Sequence, residues 1–183
     1  MLRDNYRTII DGYNLIFQCG LEGRSRDSFS IERARNRLVS SLASWLDEGE
    51  RRQTMIVFDA TSLPIKETDK VSTKQELTIV FAVDHEDADS LIEELIQKHS
   101  SPKQLTVVSS DHRIHKAALR RKATPIDSDV WFDQIETESE NDLEQGEANS
   151  DGSMGEPESD SEKDIPEGLD KIDWAKEFGV DDL

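Results

Sequence analysis

The stretch TIIDGYNLIF, residues 8–17, starts as a buried strand and then breaks into Asp11, Gly12, Tyr13 and Asn14 before apolar residues resume. The same punctuation recurs along the chain. VFDA puts Asp59 at the end of a second apolar run, DHEDADS puts Glu86, Asp87 and Asp89 after a third, and SSD puts Asp111 after a fourth. One Asp in such a place is ordinary, because its carboxylate closes turns and caps helices. Four acidic stations on four separate runs ask for more. If the runs are parallel strands of one sheet, their carboxyl ends share an edge, which is where α/β proteins bind ligands. Two carboxylates about 5 Å apart repel by roughly 3 kcal/mol at an effective dielectric near 20. Protons or a divalent cation must offset that repulsion. Oxygen donors without a neighbouring Cys or His pair favour Mg2+ or Mn2+ over zinc. Asp89 falls beside Ile96 at the margin of its helix's apolar stripe, so it is the best placed of its group to point along the edge. Glu86, one turn earlier, could share a metal with it or simply favour the helix N-terminus.

The elements that must position these residues are legible as periodic patterns. YRTII (6–10), TMIVF (54–58), LTIVFAV (77–83) and LTVVS (105–109) are rich in β-branched residues, and none alternates cleanly. That suits strands buried on both faces. ATPID (123–127) reads as a last short strand. Between them, 31–46 carries Ile31, Ala34, Leu38, Leu42, Trp45 and Leu46 at helical spacing, with Ser30 as its cap. The span 86–98 presents Ala88, Leu91, Ile92, Leu95 and Ile96, and 112–121 presents Ile114, Ala117 and Ala118. Ser128 can cap a final turn or two carrying Trp131, Phe132 and Ile135 into the core. Strands alternating with helices predict an α/β fold with right-handed crossovers and a mostly parallel sheet between helical layers.

The net charge of -18 is unevenly spread. Residues 133–183 hold 3 Lys or Arg against 19 Asp or Glu, which leaves 19 against 21 of the totals 22 and 40 for residues 1–132. The acidity therefore belongs to the tail and does not bar the first part from an anionic partner. Residues 136–164 have few apolar groups and dense negative charge, so a disordered acidic linker is expected. Residues 165–183 recover Leu169, Ile172, Trp174, Ala175 and Phe178, a short amphipathic segment suited to a protein partner's groove. Domain boundaries are thus expected at 1–135, 136–164 and 165–183. Cys19 is the single cysteine, the first residues lack the apolar run of a secretory signal, and IVFAV is too short to span a bilayer. A cytoplasmic protein with no membrane segment is expected.

At the acidic stations the chain resembles the NYN-domain ribonucleases, a branch of the PIN-like nuclease superfamily, and most closely the bacterial YacP-like group. The resemblance rests on IIDGYNLI (9–16), IVFDA (56–60), EDADSLIEELI (86–96) and VVSSD (107–111), in that order. It implies a three-layer PIN-like domain that cleaves RNA endonucleolytically with a divalent metal. Carried over position by position, it implies that Asp11, Asp89 and Asp111 bind the metal, that Glu86 and Asp59 are accessory, and that Asn14 is the amide accompanying the first acidic residue. Asp11, Asp89, Asp111 and Asn14 would then form the catalytic set. The chain departs from the pattern after SSD, where HRIHKAALRRKATPID replaces a glycine-containing stretch.

The chemistry of the residues agrees with that implication. Carboxylate-held metals activate water and neutralise charge on a phosphodiester. Gly12 reads as room for a substrate to approach the backbone. No Gly-rich phosphate loop is present. Tyr13 stands where a haloacid-dehalogenase-like phosphatase would have its second Asp, and the four histidines show no metal spacing. His112 and His115 read as solvated helix residues. For an RNA backbone there are two basic groups flanking the acidic edge: Arg24, Arg26, Arg33 and Arg37, then Arg113, Lys116, Arg120, Arg121 and Lys122. Stacking aromatics are sparse, with Tyr13 a candidate and Phe29 reading rather as core. The competing function is a catalytically silent NYN-like adaptor that binds RNA or recruits a protein.

Overall fold

The β-branched runs form the centre of a six-stranded sheet. Its strands are β1 (Thr8–Asp11), β2 (Thr54–Phe58), β3 (Val71–Lys74), β4 (Leu77–Phe81), β5 (Thr106–Val108) and β6 (Thr124–Ile126), in the order β3-β4-β2-β1-β5-β6. All neighbours are parallel except β3, which pairs antiparallel with β4 at one edge. The computed structural model describes residues 6–21, 28–60 and 70–148, through the backbone alone for 28–29 and 140–148. Arg24, Arg26, most of the acidic linker and the segment 165–183 lie outside the described residues, as does the side chain of Phe29.

Successive strand residues point to opposite faces, and both faces are covered. Ile10, Phe58 and Val108 join Leu15 and Ile16 of α1 (Gly12–Gln18), Leu38 and Leu42 of α2 (Ser28–Trp45), and Trp131, Phe132 and Ile135 of α6 (Ser128–Ala148) in one core layer. Ile9, Val57 and Val107 join Leu91, Ile92 and Ile96 of α4 (Ala88–Lys98), and Ile114 and Ala118 of α5 (His112–Arg121), in the other. Every residue of β2 is buried, which is why its sequence shows no alternation. A short α3 (Glu48–Arg52) closes the turn before β2, held by an Asp47–Glu50 capping box.

From β1 the chain leaves along one face toward β2, and it returns by α4 on the other face to β5, on β1's opposite flank. The β1–β5 boundary is therefore the point where the winding reverses. In open α/β sheets that point carries the ligand crevice at its carboxyl end.

Four expectations need correction. The helix α2 starts at Ser28, so Ser30, expected as its cap, lies inside it. The run 77–83 is strand only to Phe81, and the helix expected from 86 begins at Ala88 because the Asp87 side chain accepts from the Ser90 N–H and caps it. The strand β3 and the helices α1 and α3 carried no usable pattern. The hairpin between β3 and β4 turns through Gln75 and Glu76, both at positive φ, where glycine or asparagine would have signalled a turn. The boundary expected at 135 falls inside α6, which continues to Ala148. Glutamate is a good helix former, so acidity alone did not end the helix.

Candidate active site

Asp11 is the last residue of β1 and the N-cap of α1. Its Oδ1 accepts from the Asn14 N–H at 3.1 Å and its Oδ2 from the Ser109 hydroxyl at 3.1 Å. Only 7% of Asp11 is exposed. Burial raises its pKa to about 6, and the negative charges of Asp89 and Asp111 push the same way, against the two hydrogen bonds. Asp89, in the first turn of α4, is also raised, by its own burial first and then by Asp111 and Asp87, with Arg113 opposing. Asp111 caps α5, its Oδ1 accepting from the Arg113 N–H at 2.6 Å. The capping reading is thus correct for Asp11 and Asp111, but it is incomplete. A cap needs no second and third carboxylate in its field.

Ser109 ties two of the acids together. Its hydroxyl donates to Asp11 and accepts from the Asp111 N–H at 3.1 Å. Asn14 is fixed as firmly: its Oδ1 accepts from the Ser110 N–H and from the Ser128 hydroxyl, both at 2.8 Å. A backbone N–H can only donate, so the carboxamide oxygen must face Ser110 and the NH2 group must face away. Ser128 is fully buried, and its own N–H donates to the Ser110 hydroxyl at 3.0 Å. The start of α6 is in this way bonded to the end of β5 and to α1. Neither Ser109 nor Ser128 was predicted in this role. A small hydroxyl has no periodicity to betray it, and the only available signal for Ser109 was its place two residues before Asp111.

The remaining residues of the expected set divide by position. Asp59 follows β2 half-buried, whereas Glu86 is exposed ahead of α4; neither is a principal charge on Asp11 or Asp89. Arg113 reaches over to α4. Its Nε and Nη2 donate to the two Glu93 oxygens at 3.0 and 3.1 Å, Nη2 also meets Ser90 Oγ at 3.2 Å, and Nη1 lies 3.4 Å from Asp87 and 3.9 Å from Asp89. It bridges two helices beside the acids. His115, expected in solvent, is half-buried, with Nε2 bonded to the Ser109 carbonyl and 3.8 Å from Asp127. Asp127, just beyond β6, is a further carboxylate on this edge that sequence reading passed over. Gly12 does not open space for a substrate: a Cβ there would come within 2.3 Å of the Phe58 ring. The ring fills the room the missing side chain leaves.

Of the basic residues, Arg33 is exposed in the first half of α2 and Arg37 just past its midpoint, on either side of Arg35, which bonds Tyr13. Lys116 is exposed on α5 one turn after His112. Arg120, Arg121 and Lys122 are not brought to the acids, because α5 runs about 15 Å from its Asp111 cap toward the opposite edge. There Arg121 donates to the His99 carbonyl at 3.1 Å.

Among the described residues no three Asp, Glu, His or Cys groups close around a point tightly enough to enclose an ion by themselves. That disfavours a closed structural site. The acids that act on one another's charge, Asp11, Asp89 and Asp111, offer oxygen alone, the donor type that hard cations take, with Arg113 the nearest positive charge. Among the described residues no helix is long and apolar enough to cross a membrane.

The wider comparisons converge with this geometry. The crystal structure of Rae1 (YacP) from Bacillus subtilis is similar at 28% identity and a TM-score of 0.59, over 78% of this chain and 79% of that one. The structure of a mutant of that protein, with a single tryptophan changed to leucine, is similar at 25% identity and a TM-score of 0.57, over 79% and 84%. No curated protein matches significantly. The family model for the YacP-like NYN domain matches residues 8–173, from β1 to well beyond α6. The function is accordingly of the RNA-related nuclease type. By this match over most of its length, the chain belongs to the YacP-like NYN domain family.

Proposed function

We propose that the protein is a metal-dependent endoribonuclease that hydrolyses RNA phosphodiester bonds at the carboxyl edge of its sheet. One observation carries the reading: Asp11 is buried and held in its acid form up to about pH 6, while Asp89 and Asp111 add their charges to its field. A proton on Asp11 offsets that arrangement below about pH 6, and above it a bound cation is what can do so.

Asp11, Asp89 and Asp111 would hold Mg2+ or Mn2+, with Asp59 and Glu86 reachable only through water or a second ion. The bound ion supplies a water of lowered pKa and neutralises charge on the phosphate. The chain's own residues do the rest. Ser109 fixes the Asp11 carboxylate against the backbone of Asp111. Asn14, its oxygen locked by Ser110 and Ser128, offers its NH2 donors to a phosphate oxygen. Arg113 keeps α4 and its Asp89 against α5. Arg33 and Arg37, on either side of Arg35, carry positive charge for the RNA backbone. An RNA substrate and a lone cysteine both accord with a cytoplasmic setting. The segment 165–183, outside the described residues, retains from its sequence the role of recruiting a protein partner.

The test is cleavage of single-stranded and structured RNAs by the purified full chain in Mn2+, in Mg2+ and in EDTA. Cleavage with either ion and none in EDTA is expected. Cleavage that survives EDTA would overturn the metal role, and RNA binding without cleavage under any condition would leave the silent adaptor. Deletion of 149–183 should leave cleavage of naked RNA at least as fast at low salt.

A further inference from the structure

The helix that follows Asp11 carries a feature the acidic chemistry does not use. On α1, Gly12, Leu15 and Ile16 are buried. Tyr13, Asn14 and Phe17 share the other side, because residues three and four apart are neighbours on a helix. Phe17 is 52% exposed, and its ring stacks on that of Tyr13 with centroids 6.2 Å apart and planes 28° from parallel. A lone exposed apolar residue needs no explanation. This one lies one turn from Asn14, on a helix whose cap is Asp11.

Its support is rigid. Tyr13 packs edge-on against Phe58 at 5.1 Å, and its hydroxyl accepts from Arg35 Nη1 at 2.9 Å. The Arg35 guanidinium in turn lies over the Phe81 ring at 5.2 Å. Gly12 is what lets Phe58 come so close. The result is an aromatic step beside the carboxylates with a fixed cation at its back.

We propose that this face of α1 is a nucleobase-stacking subsite, in which Phe17, backed by Tyr13, takes an unpaired base of the RNA next to the scissile phosphate. The proposal rests on the nuclease reading above. The occupant follows from continuity with the acidic edge: a base has a π-face for Phe17, and Phe17 lies on the helix that Asp11 caps. Phe17 lies about 4.5 Å along the helix beyond Asn14, within the reach of the nucleotide adjoining a phosphate held there. A duplex cannot use the subsite, because its bases are stacked on one another. The subsite therefore selects unpaired RNA at one position without reading its sequence.

The experiment measures fluorescence anisotropy in EDTA, where no cleavage is expected, with the full chain and three RNAs: an unstructured oligoadenylate, the same strand with abasic nucleotides placed singly along it, and a duplex. Phe17→Ala should weaken oligoadenylate binding about tenfold or more, as loss of one stacked base does. Phe17→Trp should restore it, and duplex binding should not change. At one abasic position the Phe17→Ala loss should vanish, because the partner is already gone. Equal weakening for duplex and single strand, or unchanged binding, overturns the subsite and gives the face to a protein or to the chain itself. A large drop in the melting temperature of Phe17→Ala overturns it too, since Phe17 would then be core. Wild-type cleavage of the oligoadenylate in Mn2+ separates the two failures. If it persists while Phe17→Ala binds normally, only the subsite falls; if no RNA is bound or cleaved, the nuclease reading falls with it.

Discussion

The two edges of the sheet use polar groups in opposite ways. At the amino edge most of them serve the fold's own backbone, although Arg51 Nε, Arg121 Nε and Glu76 Oε2 are buried without a hydrogen-bond partner. The buried His99 donates from Nε2 to the Tyr6 carbonyl at 2.7 Å and accepts from the Ser101 N–H, Arg121 donates to the His99 carbonyl, and the Thr54 hydroxyl donates to the Glu50 carbonyl at 2.8 Å. An open groove of about 750 Å3 lies on this edge, lined by Arg7, Gln53, Gln104 and Trp131 among others. Two acids in its wall, Asp47 and Glu50, are already committed to each other's backbone N–H groups in the cap of α3. At the carboxyl edge, Asp11 and Asp89 are displaced by burial and by neighbouring negative charge. The raised acids, rather than this groove, mark the candidate site. One edge is built to close the fold and the other to be completed from outside.

The largest effect expected of that contrast is on cleavage. Asp111→Asn and Asp89→Asn should each lower the rate roughly a thousandfold or more, because several kcal/mol of charge stabilisation are removed. In EDTA neither should melt below wild type: at 111 Asn caps a helix as well as Asp, and at 89, inside the first turn of α4, a charge repelled by its neighbours is gone. Rate assays beside thermal unfolding check this, and an active but destabilised variant would make the acidic edge structural like its opposite.

Next comes pH. Asp11 has a folded pKa of about 6 against an ordinary 3.8. The unfolded chain therefore loses this proton first as pH rises. The stability contributed by protonated Asp11 is full below about pH 4 and is lost as pH rises through 6, a difference of about 3 kcal/mol. Without divalent ions, Asp11→Asn should match wild type near pH 4 and exceed it by up to that amount above pH 6. Denaturant melts across pH measure it, and Mn2+ should narrow the gap. A gap independent of pH would mean that burial does not govern this carboxyl.

At the amino edge, His99→Ala should cost about 2 kcal/mol of stability by leaving the Tyr6 carbonyl unpaired in the interior. The activity of the molecules that remain folded should be unchanged. Equilibrium unfolding and active-site-normalised rates separate these quantities, and a loss of rate at constant stability would show that the edges communicate.

The smallest effect is expected from Arg120 and Lys122, at the end of α5 remote from the acids. Their joint change to Gln should alter RNA affinity less than twofold and leave its salt dependence nearly flat against wild type. A slope reduced by about one per charge would extend the RNA path around the domain.

The sequence made the parallel strands and three of the helices visible because burial on both faces leaves unbroken β-branched runs and burial on one face leaves 3.6-residue periodicity. Asp11, Asp89 and Asp111 were legible for a topological reason: residues that end parallel strands or begin the following helices must meet at one edge. What stayed hidden depends on direction or on small groups. Counting charges after Asp111 could not reveal that α5 carries Arg120 away from it. Ser109, Ser128 and His115 act through single hydrogen bonds that leave no pattern. Strand β3 is mostly exposed and turns through Gln75 and Glu76, so neither its composition nor its turn announced it.

The order of the strands also has a consequence in time. Asp11 and Asn14 are made well before the groups that fix them, which come from Ser109, 98 positions after Asp11, and from Ser128, 114 positions after Asn14. At roughly 5–20 residues per second, synthesis separates Asn14 from Ser128 by about 6–23 s. For most of that interval β1 lacks β5, its partner on one side. Until Ser109, Ser110 and Ser128 have been made, Asp11 and Asn14 lack the long-range hydrogen bonds that fix them.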